Sequence, residues 1–307
     1  MCRYLFRRLV FVPIILFILI TITFFLVRMA PGGPFSSDRE LPPGVEQALT
    51  EKYSLDGSLA SQYGRYLVRL VHGDLGPSLK QKDFSVNEII SNHLPPSILL
   101  GITALLISLF AGVAAGLVSA LRSNSMLDYS TMALAVIGIS LPVFVFGPLL
   151  QTLFSRVLHI LPVSGYRGVS LHLILPAITL GLPFAARFAR LTRAGMLEIL
   201  SEDFITTARS KGLTERTIVL RHALKGALLP VVSFLGPAIA SITTGSLVVE
   251  KIFNIPGLGR EFVESALNRD YFMIMGTVIL YGTLIIVCNL AVDIVYGFLD
   301  PRVGNEN

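Results

Sequence analysis

Residues Leu94–Leu121 read LPPSILLGITALLISLFAGVAAGLVSAL, without a single Asp, Glu, Lys or Arg. A bilayer core of about 30 Å is crossed by roughly 20 apolar residues in a helix. Buried helices of soluble proteins are shorter and keep a polar face. The run therefore predicts a membrane-spanning helix. Five further charge-free windows occur: Leu9–Val27, Ser130–Ser155, Gly168–Ala186, Gly226–Val249 and Tyr271–Val292. A charge at mid-membrane costs roughly 2.5–3.5 kcal/mol, so the absence of charge across whole windows has a physical reason. The expected fold is all-α, a polytopic membrane protein with six transmembrane helices.

Composition agrees. Hydrophobic residues make up 53% of the chain and charged residues 15%, against about 25% charged in a soluble domain. The formal net charge of +5 does not point to nucleic acid. Cys2 and Cys288 cannot form a disulfide framework and lack metal-ligand spacing. Arg3, Arg7 and Arg8 before the first window imitate a signal peptide, but no A-x-A site follows and Pro31 comes directly after Ala30. An uncleaved span is expected.

Basic residues set the expected orientation. Arg3, Arg7 and Arg8 place the N-terminus in the cytoplasm, and six spans return the C-terminus there. The segment after the fourth window then lies inside. It carries Arg187, Arg190, Arg193, Arg209, Lys211, Arg216, Arg221 and Lys225 against only Glu198, Glu202, Asp203 and Glu215.

Two connections are too long to be plain turns. In the outer one, Pro31-Gly32-Gly33-Pro34 ends the first span. Tyr63, Tyr66, Leu67, Leu70 and Val71 share one helical face, Gly73 stops that helix, and Ser85-Val86-Asn87-Glu88 forms a capping box for a short helix carrying Ile89 and Ile90. This region either packs on the spans or docks a partner. In the inner connection, Ser201–Lys211 predicts a short helix with acids first and bases last, as the helix dipole prefers. Gly212 occupies the position of a stopping glycine. Thr214 caps a second helix, with Leu213 and Ile218 placed as a hydrophobic staple. A helix, a glycine elbow and a helix on the basic face suit a partner-docking site.

The run Thr206-Thr207-Ala208-Arg209-Ser210-Lys211-Gly212 resembles the loop shared by membrane subunits of binding-protein-dependent ABC importers. That loop has a Glu-Ala-Ala triplet, three residues and a glycine. Ala208 and Gly212 match, while Thr206 and Thr207 replace the first two positions. Leu229-Pro230 comes later after the glycine than in the general motif, with Arg221-His222-Ala223-Leu224 between, which is similar to the dipeptide and oligopeptide permease branch. Arg28-Met29-Ala30-Pro31-Gly32, His72-Gly73-Asp74-Leu75-Gly76, the run Glu250–Gly259 and Leu299-Asp300-Pro301-Arg302 resemble the same branch, and together they match its B-type oligopeptide permease subunit.

The resemblance implies an ABC importer type I permease fold, divided into 1–93, an anchor helix with an extracytoplasmic helical loop, and 94–307, a core of five spans with a cytoplasmic coupling loop at 194–225. It implies a bacterial cytoplasmic (inner) membrane location. Implied partners are a second homologous membrane subunit, two ATPase subunits that bind ATP and Mg, and an extracytoplasmic peptide-binding protein that delivers the peptide. This chain would be a transport subunit, not an enzyme, with no cofactor of its own. Ala208, Arg209, Ser210, Lys211, Gly212, Leu213, Thr214 and Arg216 would form the ATPase-docking loop. Dipeptides, nickel complexes and glycosides remain open as related substrates.

Motifs for chemistry are missing. The chain has no G-x-x-x-x-G-K-[ST] phosphate cradle and no H-E-x-x-H zinc pair. Ser140 and Ser170 each follow a Gly-x pair but lack the later glycine of a nucleophile elbow, so an intramembrane hydrolase is the remote second reading. Asp293, one turn after Asn289 in the last window, is expected to form a structural ion pair with Arg187 or Arg190. Gly112 and Gly116 have the spacing for close helix packing. Pro142, Pro148, Pro176, Pro183 and Pro237 are expected to kink spans.

Overall fold

The computed structural model describes residues 2–30, 32–35, 43–245 and 247–299. Among them the secondary structure is helical, and the only strand-like pairing is one isolated bridge between Pro77 and Ser85. Four helices are long and apolar enough to cross a membrane, over Val10–Met29, Val86–Leu121, Leu171–Leu200 and Tyr271–Ala291. Two bent helix pairs raise the number to six if each pair is one span.

The chain separates into two compact units. One comprises Cys2–Ser97 and Pro256–Ile286; the other comprises Ile98–Ile255 and the described residues from Val287. These units differ from the sequence division at residue 93, because Pro256–Ile286 groups with the N-terminal part.

In the N-terminal unit, α1 (Cys2–Met29) is followed by the short helices α2 (Pro43–Lys52) and α3 (Leu59–Val71). Ser58 caps α3 by accepting from Ser61 N at 3.3 Å, and Gly73 turns the chain away at φ +75°. The buried face of α3 is Tyr66, flanked by Tyr63 and Leu70. Val71, expected on that face, is 86% exposed at the last turn. Helix α13 (Leu258–Asn268) and the start of α14 (Tyr271–Leu299) complete this unit. Its core is aromatic: Phe24, Tyr53, Tyr66, Tyr271 and Phe272. Asp270 fastens the corner before α14. Its carboxylate accepts from Ser78 Oγ at 2.5 Å, Leu79 N at 3.0 Å and Met273 N at 3.2 Å, the last as a helix cap.

The capping box at Ser85 and Glu88 forms as the spacing predicts, with Glu88 N donating to Ser85 Oγ at 3.2 Å and Ser85 N to Glu88 Oε2 at 2.9 Å. It does not begin a separate short helix. It opens α4, one continuous helix over Val86–Leu121 that contains Pro95 and Pro96. Two prolines deprive the carbonyls four residues earlier of a donor. Here those carbonyls belong to Ser91 and Asn92, which are exposed, so water can take the place of the lost donors.

In the second unit, α5 (Met126–Ser140) and α6 (Val143–Leu150, continued by a π-helical turn Gln151–Val157) cover the third charge-free window. The pair bends by 111°. Pro142 fixes this break: the residue before it, Leu141, takes the extended φ −76°, ψ 122° that a following proline demands. Helix α7 (Ile174–Leu200) carries the fourth window and continues through Arg187, Arg190 and Arg193. The connection expected over 194–225 therefore starts only after Leu200. Short α8 (Asp203–Ser210), α9 (Glu215–Thr217), a π-helical turn Ile218–Ala223 and α10 (Leu224–Ala227) lead into α11 (Leu229–Gly245) and α12 (Leu247–Phe253). A 48° bend before α11 coincides with Pro230, which removes the donor for the Gly226 carbonyl.

Glycine lets α4 and α7 meet backbone to backbone. A Cβ on Gly112 would sit 2.5 Å from the Ala185 carbonyl oxygen and 2.7 Å from Phe188 Cβ; one on Gly116 would sit 2.7 Å from Thr192 Cβ. The spacing of Gly112 and Gly116 is a packing device, one turn repeated along one contact line.

Candidate functional site

The elbow at Gly212 is built from its stop signal outward. Helix α8 ends at Ser210; Lys211 is its last half-helical residue and Gly212 follows at φ +76°. Gly212 N donates to Arg209 O at 2.9 Å and Leu213 N donates to Ala208 O at 3.3 Å. These are the paired bonds of a Schellman stop, which needs a left-handed residue at the position glycine holds. No atom lies within 4 Å of where a Gly212 Cβ would stand. Backbone conformation, not space, therefore dictates the residue. Thr214 then caps α9, its Oγ1 accepting from Thr217 N at 3.4 Å.

Arg209 reaches across the elbow to Glu215, with Nε 2.8 Å from Oε1. The bond holds the Arg209 guanidinium above its ordinary range. Both partners are exposed, so the pair shapes the tip more than it stabilises the fold.

The docking residues expected from the sequence divide into two sets. Arg209, Ser210, Lys211, Gly212, Leu213, Thr214 and Arg216 are exposed. Ala208 faces inward and is 8% exposed, in a cluster with Ala120, Met196, Ile205, Ile218, Val219, Ala223 and Ala227. Its methyl seats α8 on the ends of α4 and α7, where a larger side chain would push the elbow out. Ile218 is fully buried in the same cluster, while Leu213 keeps 40% of its surface exposed. Below the cluster, Gly195 of α7 touches α10: a Cβ there would lie 3.2 Å from Ala227 Cα and inside contact distance of its carbonyl.

A buried ion pair braces the same end of the unit. Asp128, 1% exposed, takes a forked bond from Arg193, Nε to Oδ1 at 2.6 Å and Nη2 to Oδ2 at 2.7 Å. Ser119 Oγ at 2.5 Å and Asn124 N at 2.9 Å complete its shell. One carboxylate thus joins the end of α4, the following turn, the start of α5 and α7. This forked geometry is the strong form of a charge-assisted contact. Sequence reasoning missed it. The available signal was an acid at the mouth of a charge-free window, three residues after the capping Ser125. The pair expected for Asp293 lies outside the described residues, since that side chain is not among them. Arg187 is exposed and stands over the Phe234 ring at 5.0 Å; Arg190 is exposed.

This arrangement offers no reacting group. It is a packed junction, with an exposed basic tip tied through buried side chains and one ion pair to the ends of three helices.

Comparisons with known proteins identify the family. Residues 112–305 match the family model described as binding-protein-dependent transport system inner membrane component, and residues 1–101 match the model of its N-terminal part. The chain is similar to the oligopeptide transport system permease protein OppB of Escherichia coli (strain K12), 47% identical over 304 residues and 99% of each chain. It is also similar to the dipeptide transport system permease protein DppB of Bacillus subtilis (strain 168), 42% identical over 303 residues, 99% of this chain and 98% of that one. Among solved structures, a chain of the MetNI methionine ABC transporter in inward-facing conformations matches with a TM-score of 0.58 and 17% identity, covering 69% of this chain and 96% of that one. At that identity the likeness speaks for the fold, that of the type I ABC importer permeases. The chain therefore belongs to the family of binding-protein-dependent transport system inner membrane components, and it is a multi-pass inner membrane transport subunit.

Proposed function

We propose that this chain is one half of the translocation pathway of an ATP-driven oligopeptide importer. The observation that carries the reading is the elbow: a Schellman stop at Gly212 with an exposed basic tip, packed by Ala208, Ala223 and Ala227 onto α4 and α7. A rigid tip on two long helices suits the transmission of a push from a docked motor. The name of the similar OppB protein supports an oligopeptide cargo, and that of DppB keeps dipeptides as the second reading.

In this reading both termini are cytoplasmic, and the elbow faces an ATPase subunit. A second homologous membrane subunit completes the pathway, and a second ATPase docks beneath it. An extracytoplasmic peptide-binding protein delivers the cargo. ATP and Mg are held by the motors, and this chain carries no cofactor.

The test is uptake of a labelled oligopeptide, with co-purification of the ATPase subunits, for the wild type and Gly212→Val. A β-branched residue at φ +76° destroys the stop but touches no span. The variant is expected in the membrane at normal abundance, without bound ATPase and without uptake. Full uptake by Gly212→Val would make the elbow a mere connector.

A further inference from the structure

In the N-terminal unit, two cavities share Arg28 and Gln62 as lining residues. One holds about 10 Å³ and is lined further by Arg65, Tyr66 and Arg69. The other holds about 220 Å³ and has apolar sides from Pro34, Phe35, Leu55 and Leu59.

Hydrogen-bond donors outnumber acceptors here. The Arg28 guanidinium lies 3.5 Å from the Phe24 ring centroid, gives Nε to Gln62 Oε1 at 3.1 Å, and directs Nη1 to the Phe24 carbonyl at 3.4 Å and Met275 Sδ at 3.7 Å. Its Nη2 is unspent. Arg69 stands over the Phe272 ring at 5.9 Å, and among the described residues its side chain makes no hydrogen bond. Arg65 Nε and the Tyr66 hydroxyl are both buried without a partner, Tyr66 being only 2% exposed. Burial pushes the Tyr66 phenol upward, so it stays a donor. Arg65 is partly spent within the unit, Nη1 giving to Ser61 Oγ at 3.2 Å and Nη2 to Ser54 O at 2.9 Å and Asp56 Oδ1 at 3.4 Å, while Asp74 accepts from Gly76 N at 2.8 Å. Buried polar groups in folded proteins nearly always have a partner. Two such groups here, Arg65 Nε and the Tyr66 hydroxyl, lack one among the described residues, and with the guanidinium groups of Arg28 and Arg69 beside them they describe a site for an oxyanion.

The surroundings name the carrier of that anion. Arg28 ends the apolar span Val10–Met29. Below it, Ile14, Ile18, Ile22, Phe25 and Leu26 of α1 are exposed. From Ile14 to Arg28 the helix rises about 21 Å at 1.5 Å per residue, against ~15 Å for the hydrocarbon of one leaflet. A lipid chain lying along this strip brings its headgroup to the level of Arg28. We propose that the two cavities bind the phosphodiester of an anionic membrane phospholipid, with a phosphate oxygen facing Tyr66, Arg65 and Arg69 and the glycerol end in the larger, apolar-sided cleft. The bound lipid would tie α1, α3 and the start of α14 together at the membrane boundary.

Retention of phosphatidylglycerol by the full delipidated chain in mild detergent, read by native mass spectrometry, tests this. Wild type is expected to keep one tight phosphatidylglycerol and no diacylglycerol, which lacks the phosphate. Arg69→Gln should weaken retention about tenfold, the loss of one charge-assisted contact. Tyr66→Phe should weaken it several-fold, and Arg156→Gln, an exposed base of the other unit, not at all. Among the described residues neither the Arg69 guanidinium nor the Tyr66 hydroxyl holds a hydrogen bond, and Arg69 keeps only a distant ring contact with Phe272, so both variants should melt close to the wild type. Equal retention by all four proteins would overturn the site and leave only water in the small cavity. Displacement of the lipid by an equal concentration of inorganic phosphate would overturn the lipid as its ligand.

Discussion

The two units hold short helices in place by opposite means. In the N-terminal unit, α3 is held by large rings: Phe24 lies 5.0 Å from Tyr63 and 6.1 Å from Tyr66, and Tyr66 lies 6.2 Å from Phe272. In the other unit, α8 and α10 are held by Ala120, Ala208, Ala223, Ala227 and Gly195. Rings bury much area but touch through side chains that can adjust. Small residues bury little area and bring backbones together, which fixes the distance between helices. On the proposed function this difference has a reason: an elbow that passes on displacement needs fixed distances, whereas a region held only by packing needs adhesion.

The comparison can be broken from either side. Phe24→Ala empties the ring cluster around a fully buried side chain, and the cost should be largest, about 3–5 kcal/mol. It should appear as an early, separate unfolding of the N-terminal unit, read by limited proteolysis at 43–71. Gly195→Val makes the reverse change, forcing a side chain into the Ala227 backbone, and should cost about 3 kcal/mol because backbone cannot repack. Its readout is the apparent melting temperature in mild detergent together with loss of peptide uptake. A mild Gly195→Val would show that the elbow is as adjustable as the cap.

The ion pair sharpens the contrast. Asp128→Asn leaves Arg193 without its forked partner, and should cost about 2 kcal/mol, less than a fully buried pair because Arg193 stays 28% exposed. Helix-end mobility by amide exchange at 119–128 would report it, and unchanged exchange would dismiss the brace. Gly212→Ala should cost only about 1 kcal/mol, since φ is strained but space is free. Uptake should fall in part and melting should barely move. The smallest effect belongs to Glu215→Gln, which loosens an exposed pair. Melting should be unchanged, and any loss should be confined to ATPase co-purification.

How much was legible follows from the range of each interaction. The elbow could be read because it is local: Gly212, Thr214 and the charge order of α8 act within a few residues. The capping box at Ser85 was equally plain, although the chain after it runs on as a single helix through two prolines. The window Ser130–Ser155 gave apolar length but not the 111° bend at Pro142, since a window average is blind to direction. The pair expected between Asp293 and Arg187 or Arg190 lies outside the described residues. The brace that forms joins Arg193 to Asp128, residues far apart in sequence that α5 and α7 bring together.

The sequence by itself determined the membrane class, the apolar lengths and the helix stops, because solvation and backbone conformation act on each residue where it stands. Tertiary structure alone decided that Ala208 turns inward while its neighbours form the tip, that the Asp128 carboxylate accepts four hydrogen bonds from three residues, and that Arg28, Arg65, Arg69 and Tyr66 line one small cavity. The direction of a side chain on a helix follows from its position, but what waits there is set by another part of the chain.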